Sequence, residues 1–201
     1  MANDIILLAN TPSISNLIFR RFRGSSDFPY MAKVFNASAD ADKVEAVMTV
    51  HVLENSFSQL TNSDPPLAMI FAEINGEVIG VAQGWWTVEK DADQYLYESF
   101  VCIAPEWRRK GIGQAMLQWV ENRSRVIAAE HAHNRPKFFE VNAHQFEIGK
   151  MIMLEKNNYR ASRYFFQMLR PTLENIPNFT LPAGLEIRPV QPDHFRKIWD
   201  A

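Results

Sequence analysis

Apolar and polar positions along the chain predict ten secondary-structure elements between residues 17 and 170. Apolar runs or alternating apolar positions indicate strands, whereas apolar positions that recur every three or four residues indicate helices. Asn75-Gly76 lies between two apolar runs and is a strong hairpin signal. The order is β, α, α, β, β, β, α, β, α, β, which predicts an α/β protein. The predicted strands are residues 17–22, 68–74, 77–88, 95–103, 137–142 and 163–168, and the helices are residues 28–36, 40–54, 112–131 and 146–156.

A basic, glycine-containing loop lies between a predicted buried strand and the predicted helix that begins near residue 112. Its sequence is Pro105-Glu106-Trp107-Arg108-Arg109-Lys110-Gly111-Ile112-Gly113-Gln114. The N–H groups of a first helical turn have no partner within the helix and carry the positive end of its dipole. Glycine lets the backbone approach a ligand closely, and three basic side chains add positive charge. The stretch therefore predicts a site for a phosphate or pyrophosphate.

The spacing of this loop fits neither of the two common nucleotide-binding loops. There is no G-x-x-x-x-G-K-[ST], and Met116 stands where the third glycine of G-x-G-x-x-G would be. The loop resembles instead the [Q/R]-x-x-G-x-[G/A] signature of the GNAT superfamily of acyl-CoA-dependent N-acyltransferases, as Arg108-x-x-Gly111-x-Gly113. It also has the setting of that family: a strand, a proline, a basic loop and a long helix. The alternative is an ordinary strand, loop and helix with a solvated basic turn.

The resemblance implies a fold and a co-substrate. The expected fold is the α/β GNAT fold, a mixed six- to seven-stranded splayed sheet flanked by helices. The pantetheine arm of acetyl-CoA, or of another acyl-CoA, would enter the gap beside the glycine loop. Loop amides would hold the pyrophosphate, and the strand backbone would pair with the pantetheine amides as a sheet edge pairs with a peptide. The implied binding residues are Val101, Cys102, Ile103, Arg108, Arg109, Lys110, Gly111, Ile112, Gly113, Gln114 and Asn142.

Acyl transfer to an amine needs a base, a polarised thioester carbonyl and a proton for the leaving thiolate. Glu98 is the candidate base, and a paired or solvated carboxylate is its alternative. Strand alternation puts Glu98 on the opposite face from Tyr97 and Ser99. Many family members place a tyrosine in the last helix, in a pattern like Leu-Tyr-Glu-Lys-x-Gly-Phe. Here Leu154 takes the place of that tyrosine, and Glu147 takes the place of a frequent asparagine one turn earlier, so the proton donor is unidentified.

A few other residues near this site are weaker candidates for catalytic or metal-binding roles. Asn142 and His144 lie at the end of the 137–142 strand and are candidate substitutes for the missing groups. Tyr159 stands where the family has a phenylalanine and is expected to pack in the core. His131 and His133 follow a helix end and look like surface residues that form no convincing metal set, so no metal site is predicted.

Two functions remain open from the sequence. The first is an N-acetyltransferase that moves an acetyl group from acetyl-CoA to an unidentified small-molecule or peptide amine. The second is a non-catalytic acetyl-CoA-binding domain, the structural or regulatory half of a tandem protein. The missing tyrosine favours the second function, and the intact loop favours acetyl-CoA binding under both.

The expected domain organisation has four segments. Residues 1–16 form an extension, 17–170 a GNAT-like domain, 171–183 a proline-containing linker, and 184–201 the start of a second GNAT-like domain. The pattern of a predicted strand at 185–190 and a helix start at 193–199 repeats the beginning of the first domain, with an offset of 168 residues. The layout resembles that of tandem family members such as mycothiol synthase. The alternative is a C-terminal strand and helix exchanged with a neighbouring subunit in a homodimer.

Composition limits the other function classes. The 201 residues are 47% hydrophobic and 22% charged, which is ordinary for a globular protein. With a net charge of −2, the chain as a whole is not expected to bind nucleic acid. The only cysteine, Cys102, is expected in the core, which argues against disulfides and fits a reducing compartment. Because no stretch is long and apolar enough for a membrane span or a secretory leader, we expect a cytoplasmic protein without a membrane partner.

Overall fold

The structure is a computed structural model that describes residues 4–200 of the chain. The chain divides into two units, with the boundary between Arg160 and Ala161. The first unit contains all six strands, which are β1 (Ile5–Ile6), β2 (Leu17–Arg20), β3 (Met69–Ile74), β4 (Glu77–Glu89), β5 (Gln94–Ile103) and β6 (Lys137–Glu140). Its helices are α1 (Phe28–Ala41), α2 (Val50–Ser58), α3 (Pro65–Ala68), α4 (Ile112–Glu130) and α5 (Ile148–Lys156).

The six strands form one mixed sheet in the order β1-β2-β3-β4-β5-β6. Neighbours are antiparallel as far as β5, and β5 and β6 are parallel. The Asn75-Gly76 turn joins β3 and β4, with φ of 51° and 83° at its two residues. Both values are those of a tight hairpin turn that favours Asn-Gly. The predicted α/β fold, with a mixed sheet flanked by helices, is therefore confirmed.

Each face of the sheet has its own apolar core. On one face, α4 packs on β3, β4 and β5 through Ile112, Met116 and Val120. Two glycines of β4 let α4 approach closely, since a Cβ at Gly84 would lie 2.8 Å from Val120 Cγ1 and one at Gly80 3.3 Å from Met116 Sδ. On the other face, α1 and α2 cover the sheet with a cluster that includes Phe28, Met31, Val34, Leu53, Phe71, Val81 and Cys102.

A buried ion cluster ties the start of α1 to the sheet. The Arg20 side chain donates to both oxygens of Asp27 at 2.8 and 3.0 Å and to Glu73 Oε2 at 2.5 Å. Asp27 also accepts from the backbone N–H of Arg23 at 2.7 Å. Buried charges are tolerated when they are paired in this way, so the cluster fixes where α1 begins.

The structure corrects the predicted helices at 28–36 and 40–54. The first helix continues to Ala41, and the second begins only at Val50. Lys43 has a φ of 53°, which turns the chain out of the helical path after α1. The Asn36 side chain then holds the connecting segment by bonds to the N–H and carbonyl of Met48 at 2.7 and 2.8 Å. Thr49 caps α2 by accepting from the N–H of Val52.

The second unit corrects two predicted strands. Residues 161–191 contain no helix or strand, so the strands expected at 163–168 and 185–190 are not formed. Tyr164, Phe165 and Phe166 are 76%, 81% and 83% exposed. A strand is stabilised by a paired neighbour, and these residues have none in the described part of the chain. The helix start predicted at 193–199 is confirmed, because α6 (Phe195–Asp200) forms there. No helix among residues 4–200 is long and apolar enough to cross a membrane.

Candidate functional site

The two parallel strands at the edge of the sheet separate beyond a short paired stretch. Pairing of β5 with β6 runs from Tyr95↔Lys137 to Glu98↔Glu140, and β5 then continues alone to Ile103. Among residues 4–200, no strand pairs with that side of β5 after Glu98. The separation opens a cleft of ≈ 440 Å³. It is lined by residues of α1, β5, the basic loop, α4 and α5: Ser38, Asp42, Val101, Cys102, Ile103, Arg108, Arg109, Gly111, Gly113, Gln114, Glu147, Gly149, Lys150, Ile152, Met153 and Lys156.

The loop before α4 presents unpaired backbone N–H groups to this cleft. Arg109 and Gly111 have φ of 62° and 85°, so the backbone turns twice through the left-handed region. The first bond into the helix comes from the N–H of Ala115 to the carbonyl of Gly111 at 3.0 Å. The N–H groups of Ile112, Gly113 and Gln114 consequently have no partner within the helix. Such a helix terminus after left-handed turns is a concave site for an anion.

Gly113 marks the narrow part of the cleft, where β5 and α5 face each other. A Cβ at this position would lie 3.5 Å from Ile103 Cγ1 and 3.7 Å from Met153 Sδ. An alanine would fit there in ordinary van der Waals contact, whereas a longer side chain would project between the two walls.

Arg108 is already engaged by α1. Its guanidinium forms two bonds of 2.7 Å with the two oxygens of Asp42 and one of 2.6 Å with Ser38 Oγ. Its Nε donates to the carbonyl of Ile103 at 3.2 Å. The first residue of the loop signature therefore connects α1, β5 and the loop, and its predicted contact with phosphate remains a prediction.

Gln114 connects the two helices that border the cleft. Its side-chain amide exchanges two hydrogen bonds of 2.8 Å with the side chain of Asn157, directly after α5. Asn157 also donates to the carbonyl of Met153 at 2.7 Å. The bonds fix the C-terminal end of α5 beside the N-terminus of α4.

The other predicted loop residues are distributed around the site. Arg109 lines the cleft and is exposed, with its Cδ 3.8 Å from the position that a Cβ of Gly149 would take. Lys110 is exposed outside the cleft lining, and its Nζ lies 4.6 Å from the centre of the Trp107 ring. The Ile112 side chain is buried in the core, so that only its backbone faces the loop. Asn142 is exposed and does not line the cleft.

Glu98 is not brought into the cleft lining. It is half-buried, and its carboxylate accepts a hydrogen bond from Thr87 Oγ1 at 3.1 Å. Its role as a base remains a prediction. Ser99, the next residue along β5, is buried, and its hydroxyl has no hydrogen-bond partner in the described residues.

Leu154, in the place of the family's tyrosine, faces the core rather than the cleft. It is buried in the cluster with Ile112 and Met116. Tyr159 packs against the same cluster, as the sequence predicts, and its hydroxyl donates to the buried Glu121 at 2.9 Å. Burial and the Glu121 charge raise the pKa of Tyr159 well above its usual range.

The sequence missed an ion pair inside the cleft. Lys150 Nζ lies 3.1 Å from Glu147 Oε1, and the two side chains are 14% and 20% exposed. The other oxygen of Glu147 accepts from the N–H of His144 at 2.7 Å. The available signal was the helical spacing, because Lys150, Met153 and Lys156 are three residues apart and share one face of α5.

Cys102 is buried, as the sequence predicts, and also contributes to the cleft floor. Its thiol donates to the carbonyl of Val34 at 3.7 Å. Burial raises the pKa of this thiol; the Ser38 side chain and the charges of Lys150 and Arg108 act in the opposite direction, and the Glu147 charge adds to the increase.

The prediction that His131 is a surface residue is wrong. Its ring is half-buried, with centroids 4.4 Å from the ring of Trp86 and 4.7 Å from that of Tyr95. Its Nδ1 lies 2.7 Å from the hydroxyl of Tyr97. His133 is exposed, as expected. Within residues 4–200, no group of three His, Cys, Asp or Glu residues could hold a metal ion.

A family model described as acetyltransferase (GNAT) family matches residues 32–136. The chain is similar in fold to a GCN5-related N-acetyltransferase from Sphaerobacter thermophilus, with 16% sequence identity and a TM-score of 0.62 over 73% of this chain and 44% of that chain. It is also similar to an aminoglycoside acetyltransferase from an uncultured soil metagenomic sample, with 12% identity and a TM-score of 0.53 over 77% and 97% of the two chains. A predicted acetyltransferase from Clostridium acetobutylicum, with acetyl-CoA, has 13% identity and a TM-score of 0.54 over 76% and 96%.

These identities show a shared fold and no more. The chain spans less than half the length of the Sphaerobacter thermophilus protein. None of the curated proteins matches this sequence.

Proposed function

Because this chain belongs to the acetyltransferase (GNAT) family, we propose that it is an N-acetyltransferase that transfers an acetyl group from acetyl-CoA to an amine. The observation that carries the proposal is the cleft in which the unpaired side of β5 meets the N-terminus of α4. This cleft offers backbone groups for an extended amide chain and a helix terminus for a pyrophosphate, which are the two binding features that CoA requires.

The backbone of the chain does most of the binding in this proposal. The amides of residues 109–114 hold the pyrophosphate, and Arg109 adds positive charge at the cleft. The backbone of Val101, Cys102 and Ile103 pairs with the pantetheine amides, and a strand N–H polarises the thioester carbonyl. Glu98 remains the candidate base for the amine, through a proton relay, because it does not line the cleft itself.

The acceptor is proposed to be a small-molecule or peptide amine. One structure of similar fold is an aminoglycoside acetyltransferase, and a shared fold does not by itself assign that substrate class to this chain. We also propose a cytoplasmic location, on the basis of the single buried cysteine.

The second candidate is a non-catalytic acetyl-CoA-binding domain in a tandem protein. Two observations favour it: Leu154 lies in the core where a tyrosine donor is expected, and α6 forms where the repeated pattern predicts a helix. Under this alternative a second GNAT-like domain begins at residue 184. Exchange of the C-terminal segment within a homodimer is the other explanation for that segment.

Calorimetric titration with acetyl-CoA tests whether the cleft binds it. We expect the wild-type chain to bind, and Gly113→Leu to weaken the affinity at least about tenfold, or about 1.4 kcal/mol, because leucine projects between β5 and α5. Ala129→Leu, on the exposed end of the same helix, is the matched control and should bind as the wild type does.

Release of free CoA thiol over a panel of small amines and peptides then separates the two candidates. Turnover with any amine supports the enzyme, whereas binding without turnover supports the non-catalytic domain. Absence of acetyl-CoA binding, or equal binding by Gly113→Leu, would refute both.

A further inference from the structure

The cleft contains a partly buried ion pair that the proposed function has not yet used. Lys150, in the first turn of α5, and Glu147, directly before that helix, both line it, with Nζ and Oε1 3.1 Å apart. Glu147 is held in place by the backbone N–H of His144 and is therefore a fixed partner for the lysine. Holding an ammonium group largely out of water costs free energy, which surface lysines avoid.

Lys150 is the cleft-lining cation best placed to meet a leaving thiolate. The guanidinium of Arg108 is bound to Asp42, and the side chain of Arg109 is exposed. Lys156 lies at the exposed end of α5, two turns from Lys150.

Lys150 lies on the face of α5 that borders the cleft. Met153, three residues further along the same helix face, lies with Ile103 and Val101 around the Cβ position of Gly113. Lys150 and the β5 residues Val101, Cys102 and Ile103 line the same cleft. The ammonium group therefore borders the space that, in the proposed function, the pantetheine arm enters beside β5.

We propose that the ammonium group of Lys150 stabilises the thiolate of CoA as it leaves, and that Glu147 is the positioning residue for this ammonium group. The inference rests on the proposed function and assigns a cation to the leaving sulfur. A C–N bond forms to the acceptor amine and the C–S bond breaks, with its electron pair going to sulfur. The acceptor amine loses one proton through the base to water, and water returns one to the sulfur, so that Lys150 keeps its protons throughout.

The thiol pKa of CoA bound to the protein tests this role without an acceptor. It is measured by ultraviolet absorbance of the thiolate against pH, at CoA concentrations that saturate the protein. A cation held within a few ångströms of an ionising group lowers its pKa by about one to three units. We expect the bound thiol to titrate that far below the thiol of free CoA.

Two variants and a control separate the contributions. Lys150→Met should return the thiol pKa to that of free CoA. Lys150→Arg should keep most of the lowering and most of the rate of CoA release with an active amine, because the positive charge remains. Lys90→Met, in the exposed turn between β4 and β5, removes a lysine far from the cleft lining and should match the wild type.

The outcomes distinguish this inference from the function on which it rests. If CoA does not bind the wild-type chain, the proposed function fails and the inference with it. If CoA binds, but its thiol titrates in the wild type as it does in free solution, Lys150 has no such role and the proposed function stands. Equal lowering in the wild type and Lys150→Met would also overturn the inference. The wild-type measurement is decisive even where a variant fails to fold.

Discussion

Because Asp42 and Arg108 form an ion pair, we expect a small substitution at Asp42 to reduce the stability of the protein substantially. Asp42→Asn keeps the shape of the side chain and removes the charge that accepts two guanidinium bonds of 2.7 Å. Removing one partner of a fully buried pair costs about 3–5 kcal/mol. Because the Arg108 side chain is 29% exposed and the Asp42 side chain 10%, water can partly rehydrate the arginine, and we expect a loss nearer about 2 kcal/mol.

Thermal and urea unfolding of the wild type and the variant measure this loss. For a protein of this size, about 2 kcal/mol corresponds to a decrease in Tm of about 4–8 °C. The matched control is Glu77→Gln, which breaks the pair between Glu77 and Lys33, whose side chains are 61% and 66% exposed. An exposed pair contributes about 0–1 kcal/mol, so the control should change Tm little.

A double-mutant cycle with Arg108→Gln completes the test. If the pair acts as one unit, Asp42→Asn should cost much less in the Arg108→Gln background than in the wild type. A decrease in Tm for Asp42→Asn that is no larger than that for Glu77→Gln would refute the conclusion that this pair fixes α1 to the loop.

Two further predictions concern the core and the aromatic cluster. Burial among aromatic rings, together with the charge of Lys137, lowers the pKa of His131 below the usual value of about 6.5, so the unfolded chain binds the proton more readily. The stability from neutral His131 is therefore present above pH of about 6.5 and lost as pH falls through the lower, folded value. Urea unfolding between pH 8 and pH 5 should show a free energy of unfolding that decreases toward low pH, and His131→Phe should reduce that decrease. An equal decrease in the variant would contradict this reasoning. Gly84→Ala should destabilise the protein by about 1–3 kcal/mol, because its Cβ would lie 2.8 Å from the buried Val120 Cγ1. Val120→Ala in the Gly84→Ala background should recover part of that loss if the clash is the cause, and urea unfolding of the three variants measures it.

Features encoded within a few consecutive residues could be predicted from the sequence. The Asn75-Gly76 turn, the strand before the basic loop and the start of α4 at Ile112 all lie where their local patterns indicate. Each depends on backbone preferences and on apolar spacing over one or two turns, which the chain carries wherever it folds. The fold was predicted from the order of the elements together with the resemblance of the loop and its setting to the GNAT family.

The sequence pattern predicted a strand in a segment that has no neighbouring strand to pair with. Residues 163–168 have the composition of a strand, yet no edge pairs with them in residues 4–200 and they remain exposed. A strand is defined by hydrogen bonds to another segment, and composition does not reveal whether that segment is available.

Contacts between distant residues were decided by the tertiary structure alone. The loop sequence suggests that Arg108 is a free cation, but Asp42, 66 residues earlier in the sequence, binds it. His131 reads as a surface residue, but it meets Tyr97, 34 residues earlier, in a half-buried aromatic cluster. Neither partner can be inferred from spacing, because the fold of the sheet and helices brings them together.

The orientation of α5 is the clearest case. The sequence established that a helix lies there and that leucine replaces tyrosine at residue 154. Packing against α4 and β5 turns Leu154 into the core and leaves Lys150 in the cleft, beside Glu147. A helix offers several faces, and only the burial of its apolar side against the rest of the protein determines which one reaches the site.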